Sequence, residues 1–234
     1  MQPQNQYQFG ATATGGQVIA PDTQKVLRNT YILLALTMLP TIAGAMIGIN
    51  LNFSYVAQHP IISLIAFLAV VWGMMWAIGK NRDSGLGVLL LLGFTLCMGV
   101  VLGPLLQAAL HFRNGAQLIS MAAGGTAVIF FTLAGIVTVT KKDFSFMGNF
   151  LMIGFVLLCL GLIANIFFQI PALSLALSAI AILVFSGYIL YDISRIIHGG
   201  ETNYVMATLG LYLDVFIIFQ HLLNLLMSFM GDRD

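Results

Sequence analysis

Residues 61–79 read IISLIAFLAVVWGMMWAIG, nineteen positions without a charged side chain, followed at once by Lys80 and Arg82. About 20 apolar residues, rising about 1.5 Å each, carry a helix across the hydrocarbon core of a bilayer. The stretch is therefore written for lipid. Working outward from it, six more runs share its character: Tyr31–Ile49 before it, then Leu86–Leu106, Leu118–Val139, Phe150–Phe168, Ala172–Tyr191 and Val205–Met230. The chain is 59% hydrophobic and only 7% charged over 234 residues, with a mean hydropathy of +0.98. That leaves too little polar surface to clothe a soluble fold. No run of short alternating strands suggests a barrel, and backbone groups in lipid must be satisfied within the structure. The predicted fold class is an all-α membrane protein, a bundle of seven transmembrane helices whose short connections make neighbours antiparallel.

Ahead of the first run, Met1–Gln24 is polar and lacks the charged start and apolar core of a signal peptide, so it reads as a disordered tail. Residues 25–230 form the membrane domain, and 231–234 a short C-terminal tail. Seven basic residues (Lys25, Arg28, Lys80, Arg82, Lys141, Lys142 and Arg195) fall on one side of the predicted bundle, and only Arg113 and Arg233 on the other. The positive-inside rule then puts the N-terminus in the cytoplasm. A net charge of +1 offers no basic field to nucleic acid, which leaves membrane lipid as the surrounding partner. Cys97 and Cys159 both lie in apolar runs and read as reduced, buried hydrophobes. Gly44 with Gly48, and Gly99 with Gly103, place small residues one turn apart, a spacing that lets helix backbones approach. Pro40 should kink the first span, Pro104 lies near the end of the third, and Pro171 marks a tight turn.

Two acids break this pattern. Asp192 ends the sixth run and Asp214 lies inside the seventh. An ionisable group within a span is costly and reads as functional by default. At matching depth the two could share a proton, the seed of a pH-sensitive gate. A solvated Asp192 paired with Arg195 is the plainer alternative. His221 follows Asp214 by two helical turns, and with Gln220 and Asn224 it could continue a polar lining or simply hold helices together. With these polar residues the last run either sits centrally, walled by the other six, or dips in and returns. Lys80 and Arg82 are candidate cations to latch the acids from the second span by snorkelling. His59 and His111 lack metal-ligand spacing, and the sequence carries no phosphate loop or nucleophile–base set, so the chain reads as a non-enzyme without a cofactor.

Gly187-Tyr188-Ile189-Leu190-Tyr191-Asp192, His198-Gly199-Gly200-Glu201-Thr202-Asn203-Tyr204 and Leu211-Tyr212-Leu213-Asp214 together resemble the signature of the Bax inhibitor-1 (TMBIM) family. Lys141–Phe146 is similar to that family's inner loop, and Lys25–Tyr31 to the start of its bacterial YccA-like branch. The resemblance implies seven helices with a central seventh, and a pH-regulated calcium leak with a hydrogen-bonded aspartate pair near the cytoplasmic mouth. By motif position the pair is Asp192 and Asp214, which would also be transient calcium ligands. For the YccA-like branch the resemblance further implies a bacterial inner membrane and handling by, or modulation of, the membrane protease FtsH. Ile217 and His221 stand where family members often carry Asn, and Ile61–Gly79 lacks the acid that some carry there.

Calcium suits exposed carboxylates, and with only two of them binding would be weak and transient, as permeation needs. An intramembrane aspartyl protease also uses two buried aspartates, one after Tyr as in Tyr191-Asp192. Its second follows a flexible Gly-x-Gly, where this chain has Leu211-Tyr212-Leu213.

Overall fold

The structure is a computed structural model that describes residues 21–231. The described residues form helices α1 (Pro21–Asn50), α2 (Ser54–Gln58), α3 (Pro60–Lys80), α4 (Gly85–Val101), α5 (Gly103–Leu110), α6 (Gly115–Thr140), α7 (Gly148–Phe168), α8 (Pro171–Ile197) and α9 (Tyr204–Met230), with a 3₁₀ turn at Ser145–Met147. Seven helical stretches are long and apolar enough to cross a bilayer, α4 and α5 counting as one. The chain is an all-α, seven-helix membrane protein.

Helix α9 packs against α1, α3, α4, α5, α6 and α8, and so occupies the centre of the bundle. It is unbroken over 27 residues, about 40 Å at 1.5 Å per residue. That length crosses the hydrocarbon core, and a dip-and-return path would need a turn the helix does not contain. Around it, α3 and α7 turn large apolar side chains outward: Trp72 is 75% exposed and Phe167 79%. Such exposure fits a lipid solvent.

The two small-residue pairs meet each other. A Cβ on Gly44 would land on the Leu96 carbonyl, and one on Gly99 on the Thr41 carbonyl. A Cβ on Gly48 would come within 2.5 Å of Val100 O, and one on Gly103 within 2.5 Å of Gly48 O. Only hydrogen at these positions lets α1 lie backbone to backbone against α4 and the start of α5.

Three details depart from the sequence reading. The third span is two helices rather than one: Leu102 separates α4 from α5, whose first turn holds Pro104, a residue without an N–H to continue the ladder. Residues 21–24, read as tail, form the first turn of α1, while residues 1–20 and 232–234 of the two predicted tails lie outside the described residues. Cys97 is exposed on the outside of α4 instead of buried, and both cysteines are free. Helix α1 continues through Pro40.

Candidate functional site

Helix α9 starts at the end of the bundle that carries Lys80, Arg82, Lys141 and Arg195. Its cap is Asn203, whose Oδ1 accepts from the N–H groups of Val205 (3.0 Å) and Met206 (3.1 Å), two of the donors a helix start leaves unpaired. The Asn203 amide also donates to Arg82 O at 3.1 Å and to Asp83 Oδ1 at 2.8 Å. Glu201 Oε1 accepts from the Asn203 N–H at 2.9 Å. One side chain thus fixes the α8–α9 loop to the α3–α4 loop and sets where α9 enters.

Ten residues on, about 15 Å deeper, sits Asp214, 4% exposed. Among the described residues its Oδ2 is the buried side-chain polar atom with no hydrogen-bond partner. Asp192 lies across the helix interface on α8, half-buried. Its Oδ2 rests over Gly210, where a Cβ would come within 2.6 Å. Gly210 is one turn before Asp214 and on the same helical face. The absent side chain is what allows the Asp192 carboxylate to reach α9 just below Asp214. No hydrogen bond joins the two acids among the described residues, and Asp214 Oδ2 is without a partner. Tyr188 lies one turn along α8 from Asp192.

A cavity of about 190 Å³ opens beside Asp192, lined among others by Arg195, Glu201, Met75, Met206 and Gly210. It has room for several water molecules. Arg195 is held at its edge by Glu201 (4.0 Å), by Gly200 O (3.3 Å) and by the Tyr191 ring (5.6 Å to its centroid), and its charge also acts on Asp192. The candidate latch cations lie elsewhere. Lys80 stands over the Trp76 ring at 5.1 Å, and Arg82 pairs with Asp83 at 3.7 Å; neither lines the cavity. The cation nearest the acids therefore comes from α8 itself.

The other polar residues of α9 go to a second level of the same helix pair. His221 Nδ1 meets Ser178 Oγ at 3.1 Å, and the Asn224 amide donates to it at 3.0 Å. Ser178, on α8, is 2% exposed. The cluster joins the two helices about two turns deeper than Asp214, and Gln220 sits half-buried beside it in sequence. Another polar seam runs to α1 and α4. Tyr212 OH donates to Thr95 O at 3.3 Å and lies 3.0 Å from Thr41 Oγ1, while Thr208 Oγ1 reaches Thr30 O at 3.3 Å. Sequence reasoning missed Ser178, Tyr188, Gly210 and Glu201; it offered Arg195 as the partner of Asp192, whereas the structure pairs that guanidinium with Glu201. Only the helix spacing from Asp192 could have raised Tyr188, and the others needed a partner helix. His59 and His111 are both exposed at the far end, and no group of three or more His, Cys, Asp or Glu is placed to hold a metal among the described residues.

Residues 23–231 match the family described as "Inhibitor of apoptosis-promoting Bax1". The chain is 45% identical over 204 residues to a protein of Escherichia coli strain K12 named "Modulator of FtsH protease YccA", covering 87% of this chain and 90% of the relative. The same identity and coverage hold for "Inner membrane protein YccA" of Escherichia coli O6:H1. An uncharacterized protein of Neisseria meningitidis serogroup A is 40% identical over 209 residues, 88% of this chain and 92% of that one. The chain belongs to the Bax inhibitor-1 family.

Proposed function

We propose that the chain is a pH-sensitive cation leak of a bacterial inner membrane, with calcium as the permeant ion and Asp192 and Asp214 as its gate. The observation that carries this reading is the buried Asp214 Oδ2 without a partner among the described residues, with a second carboxylate, that of Asp192, resting on α9 at Gly210 one turn away. A polar atom left unpaired in a lipid-enclosed bundle costs stability, and holding helices together does not account for it. A shared proton between the acids would satisfy it and pin α9 to α8. When that proton leaves, two like charges face each other where little water screens them, and either a cation enters or the helices part.

In this reading the basic end is cytoplasmic, the cavity beside Asp192 is the mouth, and the chain performs no catalysis and keeps no cofactor. This reading predicts the sign: alkaline conditions favour the open state and mild acid the closed one. The test is calcium flux through the purified protein in liposomes from pH 6 to pH 8. A flat profile, or flux unchanged in both Asp192→Asn and Asp214→Asn, sinks the gate.

A second reading has its own support, the printed name of the Escherichia coli K12 relative: modulation of the protease FtsH. It is tested by co-purification with FtsH from native membranes. Deleting residues 1–20 leaves α1 whole, so loss of FtsH in that variant would assign the contact to the N-terminal segment. The aspartyl-protease alternative gains nothing from the geometry. Leu211–Leu213 is regular helix, and Pro171-Ala172-Leu173 lies at the far end of α8 from Asp192. Cleavage of a model transmembrane helix by the purified protein would revive it.

A further inference from the structure

Away from the carboxylate pair, the loop between α6 and α7 is tied to α8 through one serine. The Phe144 N–H donates to Ser194 Oγ at 2.8 Å. Around the same hydroxyl stand Asp143 Oδ1 at 3.4 Å, His198 Nδ1 at 3.4 Å and Lys142 O at 3.5 Å. His198 Nδ1 also meets Ser194 O at 2.8 Å. Ser194 is fully buried, whereas Asp143 and His198 are exposed. A hydroxyl has one proton to give, so the partner that receives it depends on the charge state of the others.

Asp143 also organises the loop. Its Oδ1 accepts from the Ser145 N–H at 2.8 Å. Hydrogen bonding from Ser145 chiefly, with smaller help from the His198 charge and from Ser194, holds its carboxyl below the usual carboxylate range. Asp143 therefore remains ionised from pH 8 to pH 5, and its contribution is lost only as the pH falls through that lowered value. His198 is the residue that closes α8.

The geometry points to a second proton-responsive latch, separate from Asp192 and Asp214, in which protonation of His198 fastens the α6–α7 loop to the end of α8 through Ser194 and Asp143. A charged ring has no lone pair at Nδ1 to compete for the Ser194 proton, whereas a neutral ring with its proton on Nε2 can draw that proton away from Asp143. Ser194 Oγ then accepts from Phe144 and donates to Asp143. The other charged groups at this place are Lys141 and Lys142 on the loop, and Arg195 and Glu201, which are paired with each other. The latch bears on α8 close to the acid: Ser194 is two residues past Asp192, and Gly148, at the end of the loop, packs on the Tyr191 ring.

The inference stands without the leak, and amide hydrogen exchange tests it. The full chain in nanodiscs is followed from pH 8 to pH 5 over residues 141–147, corrected for the intrinsic dependence of exchange on pH. Protection rises about threefold on acidification, the scale of an exposed ion pair. His198→Gln and Asp143→Asn each flatten the rise, Ser194→Ala lowers protection at every pH, and His198→Arg, a fixed cation, stays protected throughout. The Asp192→Asn/Asp214→Asn double variant keeps the rise. A flat wild-type response overturns the latch, as does a rise that survives in His198→Gln or one that vanishes in the double variant.

Discussion

Two polar clusters lie along the α8–α9 seam, and they are built in opposite ways. At the deeper level, Ser178 receives Asn224 and meets His221, and none of the three is left as a buried atom without a partner among the described residues. Nearer the basic end, Asp214 is as deeply buried as Ser178, yet one of its oxygens has no partner. In lipid a satisfied cluster of this kind holds helices together. An unsatisfied acid in the same seam costs stability and calls for another purpose. The comparison predicts that stability and pH response will respond in opposite senses at the two levels.

The largest expected effect is at Asp214. Wild-type calcium flux should rise with pH by up to about tenfold per unit, the limit for one coupled proton, and Asp214→Leu should abolish the dependence. The same variant should gain about 1 kcal/mol or more in an unfolding assay in detergent, because an apolar side chain removes a poorly satisfied charge. A clear loss of stability would mean that Asp214 is structural, and the contrast between the levels would break. Next comes Ser178→Ala, which strands His221 and Asn224. It should cost about 1–3 kcal/mol and leave the pH profile of flux in place. A shifted profile there would join the two levels into one pathway.

Gly210→Ala sharpens the inner level. The added methyl pushes on Asp192 Oδ2 and should displace the midpoint of the flux profile by about half a pH unit, equivalent to about 0.7 kcal/mol. The smallest effects belong to Lys80→Ala and Arg82→Ala, expected within about 0.5 kcal/mol in stability and without influence on the profile, because both side chains are engaged at the surface. Arg195→Ala should move the profile more than either.

The seven spans could be read from the chain because hydrophobic length is a local property, and the central place of the last helix followed from its polar content. The partners of the acids could not. Gly210 reads as one more small residue until Asp192 rests over it, and Ser178 is an unremarkable hydroxyl in an apolar run until His221 and Asn224 converge on it. Cys97 shows the same limit. An apolar run does not say which of its faces meets protein and which meets lipid. The break at Leu102 falls two residues before Pro104, which the sequence reading placed only near the end of the third span. Residues 21–24 looked like tail by composition, yet Pro21 and Asp22 suit the first turn of a helix.

The backbone contact between α1 and α4 also constrains the order in which the protein can be made. A ribosome delivers α1 first, and the surface that α1 must meet emerges only after α3 has crossed the membrane. In that interval α1 faces lipid alone. The hydroxyls of Thr37 and Thr41 are covered by bonds to the carbonyls of Leu34 and Thr37 on their own helix, so the early segment waits with those groups already provided for. The glycines on both sides then let the late arrival dock flush against it, and α3, threaded between the two in sequence, ends up at the rim of the finished bundle.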